Sequence, residues 1–177
     1  MLESLITSRT RLKMLLKFFI NSHSTSYLRG MAEEFGESTN AVRHELNNLT
    51  KASYLIAKED GRTIQYRANT KHPLYPEIKN LVHKYLGLDK IVDHILAKLG
   101  TLYYAFIVGD YAKGKDSGLI ELVLVGEIDV SYLKKCVKKV EKLINRKITT
   151  QVISLSVFEE QLHQFKGDSA LVMWAEK

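Results

Sequence analysis

The sequence predicts an α+β chain of two domains, and three observations carry that prediction. Residues 26–68 set two short amphipathic helices around a glycine turn and follow them with a basic hairpin. From Thr101 the pattern changes to alternating strands and helices. The charge divides along the same line: residues 1–87 carry 13 Lys and Arg against 8 Asp and Glu, and residues 88–177 carry 13 against 12. With 177 residues, 45% of them hydrophobic, the chain is long enough for two small cores. The expected division is a domain over 1–87, a linking helix over 88–100 and a second domain over 101–177.

The first helix is expected from Ser8 to about Asn21, with Leu12, Leu15, Leu16 and Phe19 inside and Arg9, Arg11, Lys13 and Lys17 largely outside. Leu28, Met31, Ala32 and Phe35 then fall at helical spacing. Gly36 can take the positive φ that ends this helix, and Ser38 can accept the free N–H groups of the next. That next helix, from Thr39 to about Ala52, turns Val42, Leu46 and Leu49 inward. Asn40, Arg43, His44, Asn47 and Lys51 recur at three and four residues on its outer face. Residues 54–59 and 62–67 alternate about Asp60-Gly61, a strong hairpin signal, and Lys58, Arg62 and Arg67 make the hairpin cationic. Leu74, Ile78, Leu81, Val82 and Tyr85 stripe a further helix ending at Gly87, and another runs from Leu88 to Leu99.

Helix, turn, helix and basic hairpin in this order resemble a winged helix-turn-helix of the ArsR/MarR type. The resemblance rests on Tyr27 to Ala32, Ala41 to Leu46 and Ala52 to Leu55, and covers roughly residues 5–86. It implies that double-stranded DNA is the partner. Asn40, Arg43, His44 and Asn47 would meet base edges, where Asn pairs bidentately with adenine and Arg with guanine. Ser38 and Thr39 would meet phosphate at the helix start, and Lys58, Arg62 and Arg67 the backbone. It also implies a homodimer, because in such repressors the first and last helices pair two subunits.

In the second half, strands are expected from Leu102 to Val108, Leu119 to Gly126 and Ile148 to Leu155. Helices are expected from Ser131 to about Asn145 and from Val157 to Phe165. The lysines of the first of these helices read as a solvated face, with nucleic-acid contact as the minor alternative. Cys136 is the sole cysteine, which excludes an intrachain disulfide and a four-cysteine zinc site and favours a buried thiol. No secretory signal and no apolar stretch of membrane-spanning length occurs, so a cytoplasmic protein without membrane contact is expected.

Phe106 to Gly114, followed by Ser117 to Val125, resembles the small nucleotidyltransferase-like α/β sandwich, over about residues 101–165. In that family a strand ends in Gly-Ser, a short helix begins, and an Asp-x-Asp pair stands on the next strand. The turn holds the triphosphate and the acids hold two divalent ions. Gly109 keeps the glycine, but Asp110 replaces the serine, Leu119 the first acid and Glu121 the second, and residues 148–153 contain no third. A single-ion site from Asp110, Asp116 and Glu121 is the alternative weighed against this loss. Asp110 reads instead as the cap of a helix starting at Tyr111, and Asp116 as a turn residue.

The expectation is therefore a sequence-specific DNA-binding transcription regulator that is not an enzyme. No metal or cofactor is expected, and the degenerate C-terminal domain would serve assembly, sensing of a small-molecule or protein effector, or partner binding. The alternatives are a nucleotidyltransferase with a DNA-targeting module, and a protein–protein interaction module.

Overall fold

The computed structural model describes residues 2–96, 99, 101–167 and 169–175. The chain is mixed α and β and divides into two compact units, Met1–Val82 and His83–Lys177.

In the first unit a short helix α1 (Leu2–Leu5) precedes α2 (Arg9–Phe19), β1 (Thr25–Tyr27), α3 (Leu28–Phe35), α4 (Thr39–Lys51), β2 (Leu55–Asp60) and β3 (Thr63–Ala68), and α5 (Tyr75–Leu86) runs past its end. Ser8 caps α2 by accepting the Arg11 N–H, and Ser38 caps α4 by accepting that of Ala41. Gly36 takes φ 64° after α3, and the N–H groups of Gly36 and Glu37 return to Glu33 and Ala32. Met14, Phe18, Ile20, Met31, Val42 and Leu46 are fully buried among these helices.

Three features depart from expectation. Residues 25–27 form a strand against β3, giving a three-stranded antiparallel sheet in the order β1-β3-β2. A three-residue strand carries too little alternation to be read from its own residues. Lys17 is buried rather than outside: its ammonium donates to Glu34 Oε2 at 2.8 Å, so the aliphatic stem packs inward while the charge finds a partner. Further on, Leu74 and Leu81 are exposed although both belong to the predicted stripe of the last helix.

The second unit continues with α6 (Leu88–His94), β4 (Thr101–Val108), α7 (Gly109–Ala112), β5 (Leu119–Glu127), α8 (Val130–Ile144), β6 (Lys147–Ile153), α9 (Leu155–Glu160), a 3-10 turn (Leu162–Phe165) and β7 (Leu171–Ala175). The expected helix over 88–100 ends at His94, and residues 97, 98 and 100 lie outside the described residues. The sheet order is β6-β5-β4-β7. It is antiparallel except between β5 and β6, which α8 joins as a crossover. Strand β7 was not foreseen, and the helix expected over 157–165 splits into α9 and the 3-10 turn.

Helix α8 turns Leu133, Cys136, Val137, Val140 and Ile144 inward, and the Cys136 thiol is buried as expected. Another cluster is built from Phe106, Val123, Val125, Ile153, Phe158 and Ala170, with Tyr104, Val108 and Phe165 packed against it. Its rings lie close together: Tyr104 and Phe158 centroids are 4.8 Å apart, and Phe106 and Phe165 also 4.8 Å. Among the described residues no helix is long and apolar enough to cross a membrane.

Candidate active site

Strand β4 ends at Val108, and Gly109 turns the chain at φ 67° into the short helix α7. Antiparallel pairing sets Val108 opposite Glu121, and parallel pairing sets Glu121 opposite Thr149. Side chains alternate along a strand, so Glu121 shares its face with Val123 and Val125. It therefore lies on the sheet face that carries the aromatic cluster.

The Glu121 carboxylate is folded against the Gly109 turn. A Cβ built on Gly109 would fall 1.6 Å from Glu121 Oε2, so only glycine allows both the turn and this placement. Beside it lies a cavity of about 240 Å³ lined by Val108, Glu121, Leu122, Val123, Thr149, Thr150 and Gln151. On the Glu121 face one carboxylate, the Thr149 hydroxyl and the Gln151 amide stand beside Val108 and Val123, a donor and acceptor set able to orient a polar ligand.

The other residues proposed for this region are dispersed. Leu119 is 40% exposed and carries no ligating atom. Asp110 does not cap α7, which starts at Gly109, two residues earlier than expected, with Val108 as its cap residue. Its carboxylate instead lies 3.9 Å from the Lys115 ammonium. Asp116 is committed to a separate network, where Arg146 Nη2 donates to Asp116 Oδ2 at 2.6 Å and Arg146 Nε donates to Tyr111 Oη at 2.9 Å. Tyr111 in turn donates to Asp116 Oδ1. Burial and the adjacent Asp116 carboxylate push the Tyr111 hydroxyl above its ordinary range. Burial also opposes the charge on Asp116, but the guanidinium and the phenol outweigh it and hold the carboxyl below the ordinary value. Arg146 gave no signal in the sequence, since only the fold carries it 30 residues back to Asp116.

Three acids converging on two divalent ions are therefore not present. Among the described residues no group of three His, Cys, Asp or Glu could hold a metal ion. The rearranged site of Asp110, Asp116 and Glu121 is likewise not assembled, because Asp116 is spent on Arg146.

In the first unit, α4 exposes Asn40, Arg43, His44 and Asn47 together, with Ser38 and Thr39 exposed at its start. Arg43 Nη1 donates to Asn40 Oδ1 at 3.1 Å. Lys58, Arg62 and Arg67 are exposed on the hairpin, and pairing of Lys58 with Gln65 puts Lys58 and Arg67 on one face. Residues that sequence reading missed aim this helix. Glu45, buried on the opposite side of α4, accepts from Ser8 Oγ at 2.7 Å and from Arg11 Nε at 2.8 Å. Burial raises its pKa, but those two donors outweigh burial and leave it below the ordinary range. Lys13 Nζ donates to the Phe35 carbonyl at 2.7 Å and ties α2 to the end of α3.

No protein-family model matches the chain, and no curated protein matches it. Among solved structures, the chain is similar to a complex of tri-AMPylated HEPN toxin with MNT antitoxin from Shewanella oneidensis. There the identity is 13%, with 51% of this chain and 71% of that one covered, at a TM-score of 0.36. It is similar to a toxin–antitoxin with AMP-PNP at 14% identity, covering 50% and 73%, TM-score 0.38. A mutant of the toxin–antitoxin MntA–HpeT matches at 15% identity, covering 51% and 71%, TM-score 0.35.

The first of these structures contains an AMPylated toxin and the second AMP-PNP. Against these neighbours, which are toxin–antitoxin structures, the expectation of a non-catalytic, DNA-binding transcription regulator that is not an enzyme is corrected. The physical source of the error is plain. Counting acids along the sequence found two of three missing, but not that the remaining one, Glu121, is folded against the glycine turn.

Proposed function

We propose that the chain is a nucleotidyltransferase whose first unit is a DNA-targeting winged helix-turn-helix and whose second unit, His83–Lys177, carries the transfer site. The observation that supports it is the Glu121 carboxylate set against Gly109 at the mouth of the cavity formed with Val108, Thr149 and Gln151.

In this reading Gly109, lacking a side chain, makes room for the Glu121 carboxylate at the turn. Thr149 and Gln151 hydrogen-bond the nucleotide or its acceptor. Glu121 accepts the proton of the acceptor hydroxyl as its oxygen bonds to the α-phosphorus, and pyrophosphate departs with the electrons of the broken bond. The residues present do not fit a two-ion centre, so no step is assigned to one. Asn40, Arg43, His44 and Asn47 read base edges, Ser38 and Thr39 contact phosphate, and Lys58, Arg62 and Arg67 follow the DNA backbone. The acceptor is a protein partner.

Incubation with each α-labelled nucleoside triphosphate and a cell extract, in Mg²⁺ and in Mn²⁺, tests the reading. Label is expected on a discrete protein band, and Glu121→Gln, which keeps shape but removes the base, should lower transfer by about 100-fold or more. Absence of label with all four nucleotides, or full transfer by Glu121→Gln, would overturn it.

A further inference from the structure

Helix α8 carries a charge arrangement that its own stability does not account for. From Val130 to Lys147 there are seven cations and one acid. Lys134, Lys135, Lys138, Lys139 and Lys142 are all exposed, as is Lys147 at the start of β6. Lys134 with Lys138, Lys135 with Lys139, and Lys138 with Lys142 stand four residues apart, so the helix holds three like-charge pairs at a spacing where they repel. The single acid gives no relief, because Glu141 Oε1 accepts the Ile148 N–H at 2.9 Å. Among the described residues no ion pair involves any of the six lysines. Arg146 is occupied by Asp116.

Water and salt ions screen these exposed charges, a polyanion would relieve them further by releasing those ions, and the shape of the surface selects its kind. A depression of about 610 Å³ at the end of α8 is lined by Gly118, Lys138, Glu141, Lys142, Arg146 and Lys147. A second, of about 440 Å³, is lined by His94, Tyr132, Lys135, Cys136, Lys138 and Lys139. Lys138 lines both, so the two make one cationic track. From Lys134 to Lys142 the helix rises about 12 Å, enough to meet successive phosphates of a strand rather than one compact ion. Tyr132 is 39% exposed at the other end of this track and presents a ring beside the lysines. Lysines following a backbone, with an aromatic ring for a base, are the elements of sequence-tolerant single-strand binding.

We propose that the lysine face of α8 binds single-stranded nucleic acid. This goes beyond the transfer reading and does not depend on it, because none of these residues lines the Glu121 cavity.

The test is fluorescence anisotropy of the full chain with a labelled 15-nucleotide uridine strand, a thymidine strand and a duplex of equal length, across a salt series. The double variant Lys138→Glu/Lys142→Glu should weaken single-strand binding at least tenfold and flatten its salt dependence. Tyr132→Ala should weaken it about fivefold or more. Lys71→Gln, at an exposed turn in the other unit, should leave it unchanged. Lys138→Gln/Lys142→Gln, with melting followed alongside, separates loss of charge from loss of fold. Single-strand affinity retained within twofold in both double variants overturns the proposal. So does full displacement of the strand by equimolar inorganic tripolyphosphate, which would assign the track to a small phosphate ligand. A failure of nucleotide transfer leaves these outcomes untouched.

Discussion

Asp116 shows how one residue ties charge to stability. Its carboxyl is depressed by Arg146 and Tyr111, so the stability it adds is fully present above its unfolded pKa of about 4. That stability is lost as pH falls through the lower folded value. Asp116→Asn should therefore be less stable than the parent at pH 7 but should lose less on further acidification. Urea unfolding of both proteins between pH 2.5 and 7 would show converging curves, and parallel curves would remove Asp116 from the acid response. Arg43 and Arg62 test the proposed DNA face in complementary ways. Arg43→Ala should cost about 1–3 kcal/mol on a preferred duplex and relax selectivity at one base pair. Arg62→Ala should weaken every duplex alike and reduce the salt slope by about one. Selection of bound duplexes followed by titration at three salt concentrations distinguishes them, and equal losses on all sequences for both variants would contradict the division of roles.

At the scale of elements, close packing between the helix following the α5 turn and α8 gives a sharper expectation than any surface charge. Gly87 takes φ 76°, and a Cβ there would lie 2.2 Å from Ile144 Cγ2. Gly87→Ala adds a left-handed backbone penalty of about 1–2 kcal/mol to an overlap of about 1–3 kcal/mol. A loss of about 2–5 kcal/mol in urea unfolding is expected, and an unchanged midpoint would mean that Ile144 gives way freely. Periodicity found the long elements because each buries one continuous stripe: α4, α8, β4 and β5 stand within a residue or two of the positions read from hydrophobic spacing. It missed β1 and β7 for a different reason. Strands of three and five residues, Thr25–Tyr27 and Leu171–Ala175, are held by partners far away in sequence, β3 and β4. The same limit hid parts of the site. Glu121 and Gly109 were legible as motif positions, whereas the roles of Thr149 and Gln151 depend on parallel register, and those of Glu45 and Arg146 on contacts across 34 and 30 residues.

The molecule as a whole consists of two units whose cores are built differently, and this governs how it should come apart. The first holds its helices with buried side chains pinned by charge, Glu45 between Ser8 and Arg11 and Lys17 against Glu34. The second relies on a four-stranded sheet, α8 and a cluster of stacked rings. A core of each kind can unfold by its own cooperative transition, and multi-domain chains commonly depart from two-state behaviour. Glu45→Ala leaves Arg11 and Ser8 without their shared acceptor, while Gly87→Ala strains only the second unit. Differential scanning calorimetry should therefore resolve two transitions, the first variant lowering one and the second variant the other. A single transition moved equally by both would show that the two units melt as one.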